Sequence, residues 1–221
     1  MKQKNCLIWG ASGQIGRNLI RKLTKNNFRV TAVTRNSHKN GYILKTQANP
    51  GFLDIVETNI FDAEKINQLT RNADLVINLI GILYEESKFN SFENIHVKFP
   101  YILSKYCRDN NVEQLIHLSA LGIEKAIDSK YAKSKLDGES VLKKNFEKTT
   151  IIRPSVVFSV DDNFTTQFMT MLNILPFFPL YYKGQTKFQP IFCSDLTNII
   201  FEIVIKKISA EIIECAGPEI L

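Results

Sequence analysis

The chain has 221 residues, 44% of them hydrophobic and 23% charged, with a formal net charge of +6. That length suits one α/β domain with a small addition, enough to bury a substantial core, and no apolar run reaches the roughly 18 residues of a membrane-spanning helix. The positive surplus comes largely from the stretch before Asp54, which holds no acid. Without interleaved aromatic and basic residues it does not argue for a nucleic-acid surface.

Cys6-Leu7-Ile8-Trp9 reads as a first strand, followed at once by Gly10-Ala11-Ser12-Gly13-Gln14-Ile15-Gly16. Ile15, Leu19, Ile20 and Leu23 then share one helical face. Strand, glycine turn and helix form the setting in which such a run becomes a phosphate site. Gly10 permits the tight turn, Gly13 lets the backbone approach a pyrophosphate, and Gly16 lets the helix lie close to the strand. The free N–H groups and positive end of the helix then face the anion. A dinucleotide is the expected ligand.

Phe28 to Val33 reads as the second strand, ending at Thr34-Arg35-Asn36. An NAD site usually carries an acid there, roughly 20 residues past the glycines, to bond the ribose 2′-OH. Arg35 stands in that place, with Ser37 and Lys39 nearby. A guanidinium bonds a phosphate bidentately, so NADP(H) is expected over NAD(H). The competing reading of Arg35 is a solvated loop residue.

Ile55 to Ile60 reads as a third strand, and Asp62 to Leu69 as a short helix capped by Asp62. Ala73 to Gly81 is almost continuously apolar, as a strand covered on both faces should be. A helix is expected from Phe92 to Asn110, with Pro100 forcing a kink or a late start. Gln114 to Ser119 gives a fifth strand, Tyr131 to Asn145 a helix, and Thr149 to Arg153 a sixth strand. Past Pro154 the texture changes. Phe164 to Lys183 is rich in Phe, Met, Leu and Tyr and carries two prolines, as a pocket wall, a docking face or plain core would. A short strand at Gln189 to Cys193, a helix from Asp195 to Lys207 and a strand at Glu211 to Cys215 close the pattern. Alternating strands and helices predict an α/β fold: a Rossmann-type, doubly wound parallel sheet over residues 1–158. Residues 159–221 are expected as a partial C-terminal substrate or docking region interleaved with it.

Ser119, Tyr131 and Lys135 form a catalytic candidate set. Ser119 ends a strand at the carboxyl edge, where open α/β sheets bind ligands, and Tyr131 and Lys135 share a helix face. A lysine beside a phenol lowers its pKa, and a phenol so tuned exchanges a proton with a substrate oxygen while a nicotinamide exchanges hydride. Tyr-x-x-x-Lys also arises by chance at a solvated helix start. His38, His96 and His117 share no metal-ligand spacing with the cysteines. His117, inside an apolar strand, reads as a satisfied core residue, and Asp161-Asp162 as a polar turn. Cys6, Cys107, Cys193 and Cys215 form no CxxC pair and are expected as buried thiols in a reducing compartment. The first strand leaves no room before it for a targeting segment, so a bacterial-type cytoplasm is expected, peripheral to the inner membrane at most.

Taken together, the glycine run, Asn78-Leu79-Ile80-Gly81, Ser119, Tyr131 with Lys135, and Arg153-Pro154 resemble a short-chain dehydrogenase/reductase of the extended or atypical kind, epimerase/dehydratase-like. Asn78 to Glu85, Phe92 to Val97, Arg153 to Phe158 and Phe188 to Ile191 are similar to one subgroup. It comprises the nucleotide-binding accessory subunit of respiratory complex I (alpha subcomplex subunit 9) and bacterial homologues. The resemblance implies cofactor contacts at Gly10, Ser12, Gly13, Gln14, Ile15, Gly16 and Arg35. It implies adenine contacts at Asn59 and Ile60, ribose and nicotinamide contacts at Leu79, Ile80 and Gly81, and a nicotinamide end completed by Tyr131, Lys135 and Pro154. Family catalytic roles fall on Ser119, Tyr131 and Lys135.

Departures accompany it. His96 stands where many relatives carry an asparagine that supports a proton relay, and Ser159 replaces a usual glycine. The family continues past Gly217-Pro218-Glu219 into a fuller C-terminal domain, so the expected substrate region looks incomplete. Two functions stay open: an accessory or assembly subunit of NADH:ubiquinone oxidoreductase with structural nucleotide, or an active NAD(P)H-dependent oxidoreductase or epimerase using Ser119, Tyr131 and Lys135.

Overall fold

The computed structural model describes residues 3–126, 128–160 and 187–221, together with Thr166 and Thr170. Most of the expected aromatic stretch, Phe164 to Lys183, and the Asp161-Asp162 turn lie outside the described residues.

Alternating apolar runs and amphipathic segments produce seven parallel strands in one sheet, ordered β3-β2-β1-β4-β5-β6-β9. They are β1 (Asn5–Trp9), β2 (Arg29–Thr34), β3 (Leu53–Glu57), β4 (Leu75–Asn78), β5 (Gln114–Leu118), β6 (Thr149–Pro154) and β9 (Ile212–Cys215). A two-stranded parallel ribbon, β7 (Val157–Phe158) with β8 (Ile191–Phe192), stands apart from that sheet. The α-helices among the described residues are α1 (Gln14–Lys25), α2 (Ser37–Lys45), α3 (Ala63–Arg71), α4 (Phe99–Asp109), α5 (Lys130–Asn145) and α6 (Cys193–Lys206).

Successive strand residues point to opposite faces, so β1 feeds two cores. Cys6 and Ile8 pack with Leu19, Ile20 and Leu23 of α1 and Leu196 and Ile200 of α6. Leu7 and Trp9 pack with Ile66 of α3, Phe99 and Leu103 of α4, and Leu142 of α5. Burial on both faces explains why the strands read as apolar runs. Strand order reverses between β1 and β4, and such a reversal opens a crevice beyond the carboxyl ends of the strands.

The third strand ends at Glu57, three residues before its expected end, leaving Asn59 and Ile60 in the following loop. Asp62 caps α3 as expected, accepting from the Lys65 N–H at 2.9 Å. α2 has no counterpart in the sequence reading, because it buries only Gly41 and Leu44 and carries little apolar pattern.

Pro100 has a sharper effect than a kink. Residues Glu93–Lys98 form a π-helical segment, and α4 starts at Phe99 with Pro100 in its first turn. Proline has no N–H to donate to the carbonyl four residues back, which here belongs to His96. Against that carbonyl α5 presents Gly138, where a Cβ would overlap the His96 oxygen. The helices meet backbone to backbone.

At the end of β6, Arg153 is almost wholly buried. It meets Glu139 of α5 in a two-pronged pair, at 2.9 and 2.6 Å, and also pairs with Glu124. Breaking one side of such a buried pair costs more than a surface bridge contributes. Replacing Gly138 by alanine forces α5 away from the π segment and should destabilise the fold by about 1–3 kcal/mol, read from the urea midpoint at constant slope.

Candidate functional site

The crevice at the β1–β4 reversal is a cleft of about 630 Å³. Its floor is the glycine turn. Gly10 has φ +79°, a left-handed conformation that favours glycine, and a Cβ there would stand 3.1 Å from the Leu79 carbonyl carbon. Gly13 caps α1 with extended backbone and no side-chain bond. Gly16 faces the turn itself, where a Cβ would lie 2.5 Å from the Ala11 oxygen. The first turn of α1 carries no acid, so its N–H groups and positive helix end remain available to an anion.

Of the expected cofactor contacts, Gly10, Ser12, Gly13, Arg35, Asn59, Ile60, Leu79, Ile80 and Gly81 line this cleft. Arg35 is exposed and has no hydrogen bond or ion pair among the described residues. Gln14, Ile15, Gly16, Ser119, Tyr131, Lys135 and Pro154 are not in that lining. Gln14 turns towards the ribbon, donating to the Val157 carbonyl at 3.3 Å and accepting from Ser159 at 2.9 Å. Ile15 packs on the core, Gly16 supports the turn from behind, and Pro154 ends the buried β6.

The sequence reading missed several walls. Trp9 lines the cleft with its indole N–H buried and unpartnered among the described residues. Phe61 and Phe89 line the far side and meet edge to face, ring centroids 6.0 Å apart. Trp9 adjoins the glycines and could have been included; Phe89 lies in a loop whose path no periodicity reveals.

Lys135 Nζ lies behind Gly81, 3.1 Å from where a Cβ on that glycine would stand, and donates to the Leu118 carbonyl at 3.2 Å. Burial lowers its pKa to about 8, against the opposing pull of Glu139. This corrects the expected pairing of lysine and phenol. Burial raises the Tyr131 phenol instead, and its ring lies edge-on to Phe92 and His96, at 5.9 and 5.6 Å. No hydrogen bond joins the side chains of Ser119, Tyr131 and Lys135 among the described residues. Ser119 Oγ, at the carboxyl edge of the sheet, is buried with no hydrogen-bond partner among the described residues.

His96 is fixed from both sides. Its Nε2 accepts the Ile82 N–H at 3.1 Å, and its Nδ1 lies 2.8 Å from Ser134 Oγ, whose own proton goes to the Tyr131 carbonyl at 2.7 Å. Nδ1 therefore carries the proton and Nε2 none. Burial first, then Lys135, brings its pKa down to about 3. A second proton would set two donors face to face. His117 departs from the satisfied core residue expected: Nδ1 meets the Asn78 amide at 3.1 Å, while Nε2 is buried without a partner among the described residues.

These two shifts leave signatures in stability against pH. Between pH 6.5 and about 3 the unfolded chain protonates His96 while the folded chain does not, so stability falls as pH drops; His96→Asn should flatten that part of the curve. Between about 8 and 10.5 the unfolded chain still holds the Lys135 proton that the folded chain has released, so stability rises with pH. Lys135→Met should remove that rise, on the order of 3 kcal/mol in urea titrations.

Residues 6–175 match the family model described as the NAD dependent epimerase/dehydratase family. The chain is 30% identical over 214 residues to NADH dehydrogenase [ubiquinone] 1 alpha subcomplex subunit 9, mitochondrial, of Dictyostelium discoideum, covering 96% of this chain and 59% of that protein. It is 26% identical over 213 residues to the NADH-ubiquinone oxidoreductase 40 kDa subunit, mitochondrial, of Neurospora crassa, covering 96% and 55%. The chain thus spans little more than half the length of these curated relatives. Among solved structures, UDP-glucuronic acid 4-epimerase from Bacillus cereus in complex with NAD superposes with a TM-score of 0.82 at 20% identity, over 98% of this chain and 80% of that one. The Bordetella bronchiseptica enzyme WbmH in complex with NAD+ gives 0.78 at 16% identity, over 99% and 77%. The parallel sheet, its glycine turn and the extent of the family match agree: this chain belongs to the NAD-dependent epimerase/dehydratase family.

Proposed function

We propose that the chain is an NADP(H)-binding, short-chain dehydrogenase/reductase-like accessory or assembly subunit of NADH:ubiquinone oxidoreductase, in which the nucleotide is structural. The observation that carries this reading is the contrast between a formed cleft and a catalytic candidate set whose side chains share no hydrogen bond among the described residues. The turn, the first turn of α1 and Arg35 offer donors to phosphates, whereas Lys135 is spent on the Leu118 carbonyl and Tyr131 is driven towards its protonated form. The names of the two mitochondrial relatives supply the complex. No helix among the described residues is long and apolar enough to cross a membrane. The reading has the protein attach peripherally, at the cytoplasmic face of the complex in a bacterial host.

In this reading Gly10, Ser12 and Gly13 hold the pyrophosphate, joined by Gln14, Ile15 and Gly16 through the backbone of the turn and helix start. Arg35 takes the 2′-phosphate, and Asn59 and Ile60 border the adenine. Leu79, Ile80 and Gly81 flank the ribose and nicotinamide, with Tyr131, Lys135 and Pro154 behind them. Bound nucleotide stabilises the folded chain by mass action alone, without turnover. The second reading is an active oxidoreductase or epimerase. Its support is the buried Ser119 hydroxyl at the end of β5, which has no hydrogen-bond partner among the described residues.

Affinity purification from detergent-solubilised host membranes tests the first reading: the protein should co-purify with the respiratory NADH:quinone oxidoreductase, and recovery solely as a free protein would sink it. NADPH consumption against quinones, aldehydes and ketones should show no turnover that Tyr131→Phe abolishes; such turnover would establish the second reading. By calorimetry NADPH should bind more tightly than NADH, and Arg35→Ala should weaken NADPH about tenfold while sparing NADH, since one charge-assisted phosphate contact is lost.

A further inference from the structure

An acid does reach the end of β2, though not from its own strand. The parallel register sets Thr34 opposite Glu57, the last residue of β3, and the Thr58 N–H continues the pairing to the Thr34 carbonyl at 3.1 Å. From there the Glu57 carboxylate accepts the Ser37 N–H at 2.8 Å and the Ser37 hydroxyl at 2.5 Å, both on Oε2. Ser37 opens α2 two residues beyond Arg35, and the Lys39 N–H is taken by the Asn36 side chain at 2.8 Å. The first turn of α2 contains no acid of its own. The two Ser37 bonds, chiefly the hydroxyl's, hold Glu57 below the usual carboxylate range, with His38 adding to them.

Arg35 lines the dinucleotide cleft and has no partner among the described residues. A phosphate held there carries about −1.5 to −2 charge and seeks several donors at once. The neighbouring donors at the start of α2, the Ser37 N–H and hydroxyl, already serve Glu57. A ribose 2′-OH makes no such demand and leaves the Glu57–Ser37 contact undisturbed.

We infer that Glu57 is a specificity-determining residue for the 2′ position: it competes with a 2′-phosphate for the Ser37 donors and opposes it by charge, limiting the preference that Arg35 creates. The inference rests on the proposed role of Arg35 and adds a counterweight to it. A like charge close by disfavours a second anion, while the unphosphorylated cofactor is little affected.

The test is calorimetric titration of NADPH and NADH into the full chain and into Glu57→Gln, Ser37→Ala and Arg35→Ala. Glutamine keeps one side-chain oxygen for the Ser37 N–H and hydroxyl, removes the charge and exchanges the other oxygen for an amide NH2. Glu57→Gln should tighten NADPH about tenfold and leave NADH within about twofold. Ser37→Ala should not reproduce that gain, because it removes a phosphate donor along with the competitor's partner. Unchanged or weakened NADPH binding in Glu57→Gln, with Arg35→Ala still weakening NADPH, overturns the inference while the Arg35 reading stands. If Arg35→Ala leaves NADPH untouched, the Arg35 reading itself falls. A parallel loss of both nucleotides in Glu57→Gln, with a lowered melting temperature, marks Glu57 as a helix cap only and also overturns it.

Discussion

The rest of the structure depends on a contact that leaves no room for a side chain: Gly16 of α1 against Ala11 of the preceding turn. A Cβ at that point would push the helix off the strand. Because it is absent, α1 begins immediately above the end of β1, and its N-terminal N–H groups face the crevice that the strand reversal opens. Gly10 applies the same constraint sideways, bringing the turn against the backbone of Leu79. Two close approaches thus join the ends of β1 and β4 to the start of α1, and the cleft is what remains between them.

Behind the cleft the chemistry is of another kind. Lys135, Glu139 and Arg153 are buried polar groups on α5 and β6, each satisfied by a named partner. Burying charge is costly unless such partners are supplied. Here the carbonyl of Leu118 and the carboxylate of Glu139 supply them, fixing α5 against the carboxyl ends of β5 and β6. In the same region burial, with no opposing pull, raises the Tyr131 phenol. Lys135 also anchors α5 to the end of β5, one helical turn from the half-buried Tyr131 ring. His96 extends that rigidity: a single tautomer, hydrogen-bonded on both nitrogens, secures the loop after β4 to α5.

Legibility in the sequence follows burial. β1, β4, β5 and β6 are apolar because both faces are covered, so their runs are readable to within a few residues. α2 escapes because it buries only Gly41 and Leu44, and Asn59 and Ile60 fall outside the strand because the last bond to β2 is made by the Thr58 N–H. Pro100 signals a break, but the π segment before it depends on Gly138, which meets the His96 carbonyl from a distant helix. Gln14 illustrates the reverse case: its place in the glycine run suits a cofactor contact, yet its amide bonds to the ribbon strand.

The sequence by itself determined the glycine turn and the alternation of strand and helix, because local geometry and periodicity encode these. Only the tertiary structure decided which polar groups meet. It took Lys135 to a carbonyl, left Ser119 unpartnered and carried Glu57 across to Ser37. Residues 17 and 20 apart along the chain become neighbours through strand register and helix packing, and that juxtaposition sets their charge state and chemistry.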